Sequence, residues 1–195
     1  MSTDLATIDA TGPRDVSAEQ LAIFQIVGKI MHETRYYDLA SPIRATFLMA
    51  KVYELGFPAT SAPDVIDDIK GRLTLKPAAA LALVFRSGLL EDMQVEDGPD
   101  FCEVKFKRRG LPFMLGYKFT MTDAAKADLV KQGGAWEKWT KNMLYWRAVG
   151  FAVDRVFPDV TLGMKDNVQF GAALPQGRVD TTTGEITVID VAQEG

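Results

Sequence analysis

The chain has 195 residues, 47% of them hydrophobic and 25% charged, with a formal net charge of −4. That is enough apolar surface for one domain with a real core, and no apolar run is long enough to cross a bilayer. The single cysteine, Cys102, excludes an internal disulfide and fits a reducing cytosol; the single histidine, His32, excludes any site that needs two imidazoles.

Residues 1–16 read as a flexible N-terminal tail, polar and lacking the basic start and apolar core of a signal peptide. Ser17 then caps a helix with Glu19 in its first turn and apolar Leu21, Phe24, Ile26, Val27 and Ile30. Tyr36-Tyr37-Asp38 breaks it. A second helix starts after Ser41 with Pro42 at its first position, runs through Ile43, Phe47, Leu48, Val52 and Tyr53, and stops at Gly56. From Val65 to Leu75 the period changes to that of a hairpin turning at Lys70-Gly71.

Pro77 opens a third helix over Ala78–Phe85, ended by Ser87-Gly88. Three strands follow, Leu89–Val95, Phe101–Lys107 and Phe113–Phe119, with turns at Asp97–Asp100 and Arg109-Gly110. Thr122 is read as the cap of a short helix from Asp123 to Val130. A longer helix is expected to start near Trp136 and to end before Pro158. Arg178–Asp180 and Glu185–Ile189 suggest a late hairpin. The sum is an α+β fold, an antiparallel sheet with packed helices, in one domain over 17–165 followed by a C-terminal extension, 166–195.

Several chemistries lack support. There is no Gly-rich phosphate loop followed by Lys-Ser or Lys-Thr. Asp64, Asp67 and Asp68 form the best carboxylate group, with Asp64 and Asp68 on one strand parity. A divalent cation could sit there, but a solvated strand edge is the simpler reading. Cys102 beside Lys105 suggests either a thiol of lowered pKa or, more simply, a small buried strand residue.

Charge is distributed unevenly. From Lys105 to Arg155 there are eleven basic residues against four acidic ones, so the rest of the chain is strongly acidic. Lys105, Lys107 and Arg109 are expected on one strand face, opposite Val104 and Phe106. Further on, Trp136, Lys138, Trp139, Lys141, Tyr145, Trp146 and Arg147 interleave aromatic rings with cations. Single-stranded nucleic acid uses both: cations displace counterions from phosphates and aromatic planes stack on bases. Helical phase sends Tyr145, Val149, Ala152 and Val156 to the core with Trp146 and Val153 beside them, and leaves Lys141 and Arg147 outside. A solvated amphipathic helix fits the same pattern.

The segment Phe119-Thr-Met-Thr-Asp-Ala-Ala-Lys126, a Gly-Gly spacer, Trp136 and Lys141-x-Met-Leu-x-x-Arg147-Ala148 carry a resemblance. Phe157-Pro-Asp-Val160 and Gly163 continue it. Upstream, Glu54-Leu-Gly-Phe-Pro58, Ile69-Lys-Gly-Arg-Leu73 and Arg86-Ser-Gly88 fall in the same order. The chain resembles the RecT/Red-beta family of phage single-strand annealing proteins. The resemblance implies ATP-independent binding and annealing of single-stranded DNA in homologous recombination, without bond-making chemistry. It further implies assembly as a homo-oligomeric ring or helical filament, a phage exonuclease as a candidate partner, and a location in the cytoplasm of a bacterial host. No cofactor is called for, beyond a divalent cation such as magnesium, and no membrane.

The family's backbone-holding positions match Lys141 and Arg147. A third basic position falls on Asp154, with Arg155 next to it, either substituting or pairing with Asp159. The DNA-binding set is therefore Lys105, Lys107, Arg109, Lys138, Lys141, Arg147 and Arg155. The competing readings are a self-assembling structural or interaction protein without nucleic-acid function, and a small metal enzyme built on the aspartates.

Overall fold

The computed structural model describes residues 14–36, 41–69 and 71–165, and the backbone of 176–179 and 186–189. Arg14 is tied to the end of the second helix, its N–H donating to Glu54 O at 3.1 Å, and Val16 lies against the core, so these two residues of the expected tail are held by the fold. Helix α1 (Ala18–Glu33) opens with a reciprocal capping box, in which Ser17 Oγ accepts from Gln20 N and Gln20 Oε1 accepts from Ser17 N. Its inner face is Phe24, Gly28 and Met31. Of the five apolar positions expected to mark this helix, only Phe24 is buried; Ile26 and Ile30 stand 65% and 52% exposed. The reason is Gly28. A Cβ there would sit 2.9 Å from Thr46 Oγ1, so glycine lets α2 (Pro42–Glu54) come close along that line and fixes which side of α1 faces inward.

Ser41 caps α2 through its hydroxyl, which accepts from Arg44 N, and Pro42 occupies the first turn as expected. The helix closes at Leu55, and Gly56 takes the left-handed conformation (φ 78°). A short helix, α3 (Ala62–Val65), then feeds a two-stranded hairpin, β1 (Ile66–Ile69) with β2 (Arg72–Leu75), in the register Ile66↔Leu75 to Ile69↔Arg72. Gly71, at φ 80°, makes the turn; Lys70 lies outside the described residues. Arg44 ties this hairpin to α2 through Asp68 and through Gly71 O. The sequence places Asp64 on the strand, but it belongs to α3.

Helix α4 (Pro77–Arg86) follows. Arg86 reaches back to the end of α2, donating to Gly56 O at 2.9 Å and Leu55 O at 3.0 Å, with its guanidinium over the Phe57 ring at 4.3 Å. Burial is the main cause of its lowered pKa, with Arg14 adding to it. Two of the segments that carried the resemblance, Glu54–Pro58 and Arg86–Gly88, are thus the two halves of one interhelical lock.

The main sheet is β3 (Leu90–Asp97), β4 (Phe101–Arg108) and β5 (Met114–Thr120), antiparallel in that order. Strict alternation on β4 sends Cys102, Val104 and Phe106 to the inner face, all at 0% exposure. Thr120, not Thr122, caps the next helix, α5 (Met121–Lys126). Asp123 accepts from the Thr120 N–H and hydroxyl, which completes a capping box and starts the helix two residues earlier than the sequence suggested.

The long helix expected from Trp136 is divided. α6 (Ala135–Lys138) and α7 (Thr140–Val156) are separated by Trp139 at φ −131°, ψ 39°. Buried Trp136 packs against Phe119 (centroids 6.1 Å apart), whereas Trp139 turns outward. Helix α7 lies across β4 and β5 and against α4, burying Leu144, Ala148, Val149, Gly150, Ala152, Val153 and Val156. One apolar cluster runs from Phe24 to Phe157. The late hairpin has its backbone counterpart in β6 (Gln176–Val179) paired antiparallel with β7 (Ile186–Ile189); residues 180–185 between them lie outside the described residues.

Replacing Arg86 by Ala removes two charge-assisted hydrogen bonds and leaves the Leu55 and Gly56 carbonyls short of donors. We expect a loss of roughly 2–4 kcal/mol in urea unfolding, with Arg86→Lys recovering less than half because one ammonium cannot reproduce the planar fork. A loss below about 0.5 kcal/mol would show that the lock contributes little.

Candidate nucleic-acid interface

The seven basic residues singled out in the sequence do not form one groove. Lys105 and Lys107 do project from the face of β4 opposite Val104 and Phe106, but Arg109 lies beyond the strand, exposed in the turn before Gly110. The cross-strand register brings acids onto the same outer face: Asp92 stands opposite Lys107, and Glu96 opposite Glu103. Glu103 pairs with Lys105 at 3.1 Å, Lys107 donates to Leu111 O, and Lys118 lies 3.6 Å from the Phe101 ring centroid. This face is a mixed, internally paired surface.

The cations of α7 also separate. Six residues on a helix advance the side chain by about 240°, so Lys141 and Arg147 point about 120° apart. Arg147 and Asp154, seven residues apart, follow one another on one side. Arg155 turns instead toward β5, where its guanidinium lies 4.8 Å from the Tyr117 ring centroid and donates to Gly116 O at 3.3 Å. It does not pair with Asp159. Arg108 takes that carboxylate in a two-pronged bond (2.6 Å to each oxygen), and also donates to Val156 O at 2.7 Å, at the C-terminal end of α7. The Arg108 bond is the main reason the Asp159 carboxyl titrates below the usual carboxylate range.

What the structure does bring together is Lys138, Trp139 and Lys141, at the junction of α6 and α7. All three are exposed, Trp139 by 66%. Among the described residues neither lysine meets a carboxylate within ion-pair distance. The acids nearest in sequence are engaged elsewhere: Asp123 in the Thr120 capping box, Asp128 with Lys131, and Glu137 as acceptor for the Gly133 N–H at 2.8 Å. No side chain caps the N-terminus of α7, whose first amides add to the positive potential there.

On the far flank, Arg147 lines a groove of about 280 Å³ with Met143 and Trp146 of α7, Lys76, Pro77 and Ala78 at the start of α4, and Asp67 of β1. Trp146 is half-buried, edge-on to Tyr145 at 4.9 Å. Lys76 is a cation the sequence reading missed, because it meets Arg147 only through the packing of α4 on α7. It is partly compensated by Asp67 at 3.5 Å. Trp139 was visible in the sequence only as one of three tryptophans, since an unbroken helix gives no reason to separate it from Trp136.

Asp67 and Asp68 have Lys76 and Arg44 as partners and Asp64 stands apart on α3. Among the described residues no group of three potential metal ligands converges. No described helix is long and apolar enough to cross a membrane. Cys102 is fully buried and its thiol is not activated: burial first, then a hydrogen bond with Asp97, push its pKa up to about 12.

Burial of Cys102 has a measurable consequence. An unfolded thiol ionises near pH 8.5, so above that pH the unfolded chain binds fewer protons than the native one. Stability should therefore fall as pH rises from about 8.5 toward 12, by at most about 1.4 kcal/mol per unit from this group. Cys102→Ala should flatten that alkaline slope, and native Cys102 should resist a thiol reagent at pH 8 that labels the urea-unfolded chain. Rapid labelling of the native protein would contradict the burial. The sequence matches no protein-family model and no curated protein, so the chemistry of Lys138, Trp139, Lys141 and the Arg147 groove has to define what the surface binds.

Proposed function

We propose that this protein binds single-stranded DNA and anneals complementary strands without nucleotide hydrolysis. The observation that carries the reading is the α6–α7 junction: Lys138 and Lys141 exposed around Trp139, with the neighbouring acids Asp123, Asp128 and Glu137 each engaged elsewhere. A local field of this kind draws a polyanion despite the net charge of −4. The resemblance to single-strand annealing proteins points to the same helix, with Lys141 and Arg147 in the backbone-holding positions. Annealing then follows from charge: two strands repel until their phosphates are neutralised, and lysines do this without covering the pairing edges of the bases.

Binding of a labelled single-stranded oligonucleotide, followed by anisotropy between about 50 and 200 mM salt, tests this directly. Affinity should fall linearly on a log–log scale. The Lys138→Ala/Lys141→Ala pair should weaken binding and reduce the slope by about 1.4, at roughly 0.7 for each phosphate that is no longer neutralised. Absence of binding at low salt would sink the reading, and an unchanged slope in the double variant would move the DNA-binding surface elsewhere. Acceleration of complementary-strand pairing, with no nucleotide present, separates annealing from passive coating.

Assembly of copies, as a second reading, has an observation of its own. Ile23, Ile26 and Ile30 recur along one side of α1 at 51%, 65% and 52% exposure, and Ile43 and Phe47 of the adjoining α2 are exposed by 81% and 50%. We expect Ile26→Glu/Ile30→Glu to shift sedimentation toward a smaller species. If oligonucleotide affinity per protomer is kept, assembly and DNA binding are separable surfaces. An unchanged sedimentation profile would exclude this face from assembly.

A further inference from the structure

We propose that Trp139 is a base-stacking platform, holding one unpaired nucleobase of a single strand against its indole while Lys138 and Lys141 meet the adjoining phosphates. The inference rests on the single-strand reading above and names the contact by which that strand would be distinguished from duplex.

The three tryptophans of the segment have different fates. Trp136 is 5% exposed and packs on Phe119, and Trp146 is half-buried beside Tyr145. Trp139 is 66% exposed although the core begins three residues before it. Its backbone is held at both sides: the Trp139 N–H donates to Ala135 O at 2.8 Å, and Trp139 O accepts from Met143 N at 3.0 Å. Thr140 Oγ1 adds a bond to Trp136 O at 2.7 Å. The ring is therefore presented outward from a junction fixed by two helices, at low conformational cost on binding. The break at φ −131°, ψ 39° is what takes it out of the buried stripe.

The occupant follows from the charges beside the ring. An apolar protein surface seated on Trp139 would strip water from Lys138 and Lys141, and among the described residues neither has a carboxylate to compensate. A nucleotide unit answers both demands, with a π-face for the indole and a phosphate on each side for the ammonium groups. The uncapped start of α7 favours the same negative charge. Stacking needs no hydrogen-bond readout, so the contact is indifferent to base identity.

Two strands of equal length test this: a thymidine oligonucleotide, and one in which most nucleosides are replaced by abasic sites. Both are titrated against native full-length protein, Trp139→Ala and Trp139→Phe at low salt. Trp139→Ala should bind the thymidine strand roughly 5- to 100-fold more weakly, Trp139→Phe should recover most of the loss, and all three proteins should bind the abasic strand alike. Quenching of tryptophan fluorescence by the thymidine strand should shrink in Trp139→Ala. Trp139 contributes nothing to the core, so the melting temperature and sedimentation should stay at native values.

Native-like affinity of Trp139→Ala for the thymidine strand would overturn the proposal and leave the annealing reading intact. Equal weakening toward both strands would also overturn it, assigning the effect to the phosphate contacts. If native protein binds neither strand, both readings fall.

Discussion

Burial of α7 is the constraint on which the rest of the structure depends. The helix meets the inner face of β4 and β5 on one side and α4 on another, so most of its circumference is spoken for. Ala148, Gly150 and Ala152 keep its backbone close to its neighbours, while Leu144, Val149, Val153 and Val156 fill the space, each worth about 1.5–3 kcal/mol of burial. Phe151 stacks on Tyr117 at 4.8 Å and Phe119 at 5.7 Å, which fixes the helix along the strand direction. What remains for solvent is narrow: the first turn with Lys141 and Asn142, Arg155 near the other end, and the half-exposed side carrying Arg147 and Asp154.

That constraint sorts the basic residues into two kinds. Arg44, Arg86, Arg108 and Arg155 each bond a carbonyl or carboxylate across elements, and all four lie over rings, those of Phe47, Phe57, Phe157 and Tyr117 in turn. A planar guanidinium suits such work, since it can fork onto two acceptors while stacking on an aromatic face. Lys138 and Lys141 have flexible stems and compact charges, and they stand exposed where α7 begins. The sequence excess between Lys105 and Arg155 therefore overstates the field available to a ligand: Arg108, Lys105 and Lys131 are matched by Asp159, Glu103 and Asp128.

Much of this was legible in the sequence wherever a local rule decides the outcome. Ser17 and Ser41 announced their helices, Pro77 the start of α4, and the alternation from Phe101 to Lys107 the inner and outer faces of β4. One failure is local and the others are tertiary. Thr120 and Thr122 are equally good caps by type, and only Asp123 turning back to Thr120 chooses between them. Ile26 and Ile30 fit an inward stripe as well as Phe24 does, until Gly28 admits α2 on the other side. The register of β3 put Asp92 and Glu96 on the lysine face, which no pattern within β4 announces. Trp139 was hidden because the break between α6 and α7 falls on Trp139 itself, with no glycine or proline there to announce it.

A single exposed ring also fits the energetics of annealing. A protein that stacked every base would compete with the complementary strand, since base–aromatic stacking is worth about 1–3 kcal/mol per base and a duplex step averages about 1.4 kcal/mol. Among the described residues one tryptophan stands outward beside the unpaired lysines, while Trp136 and Trp146 are held by the fold. On the proposed reading, each protomer orders a strand at one base and leaves its neighbours available. Two or three successive base pairs then outweigh the stacked contact, so the incoming strand displaces the ring without any energy from nucleotide hydrolysis. The lysines need not let go at that moment, because duplex keeps the phosphates they hold.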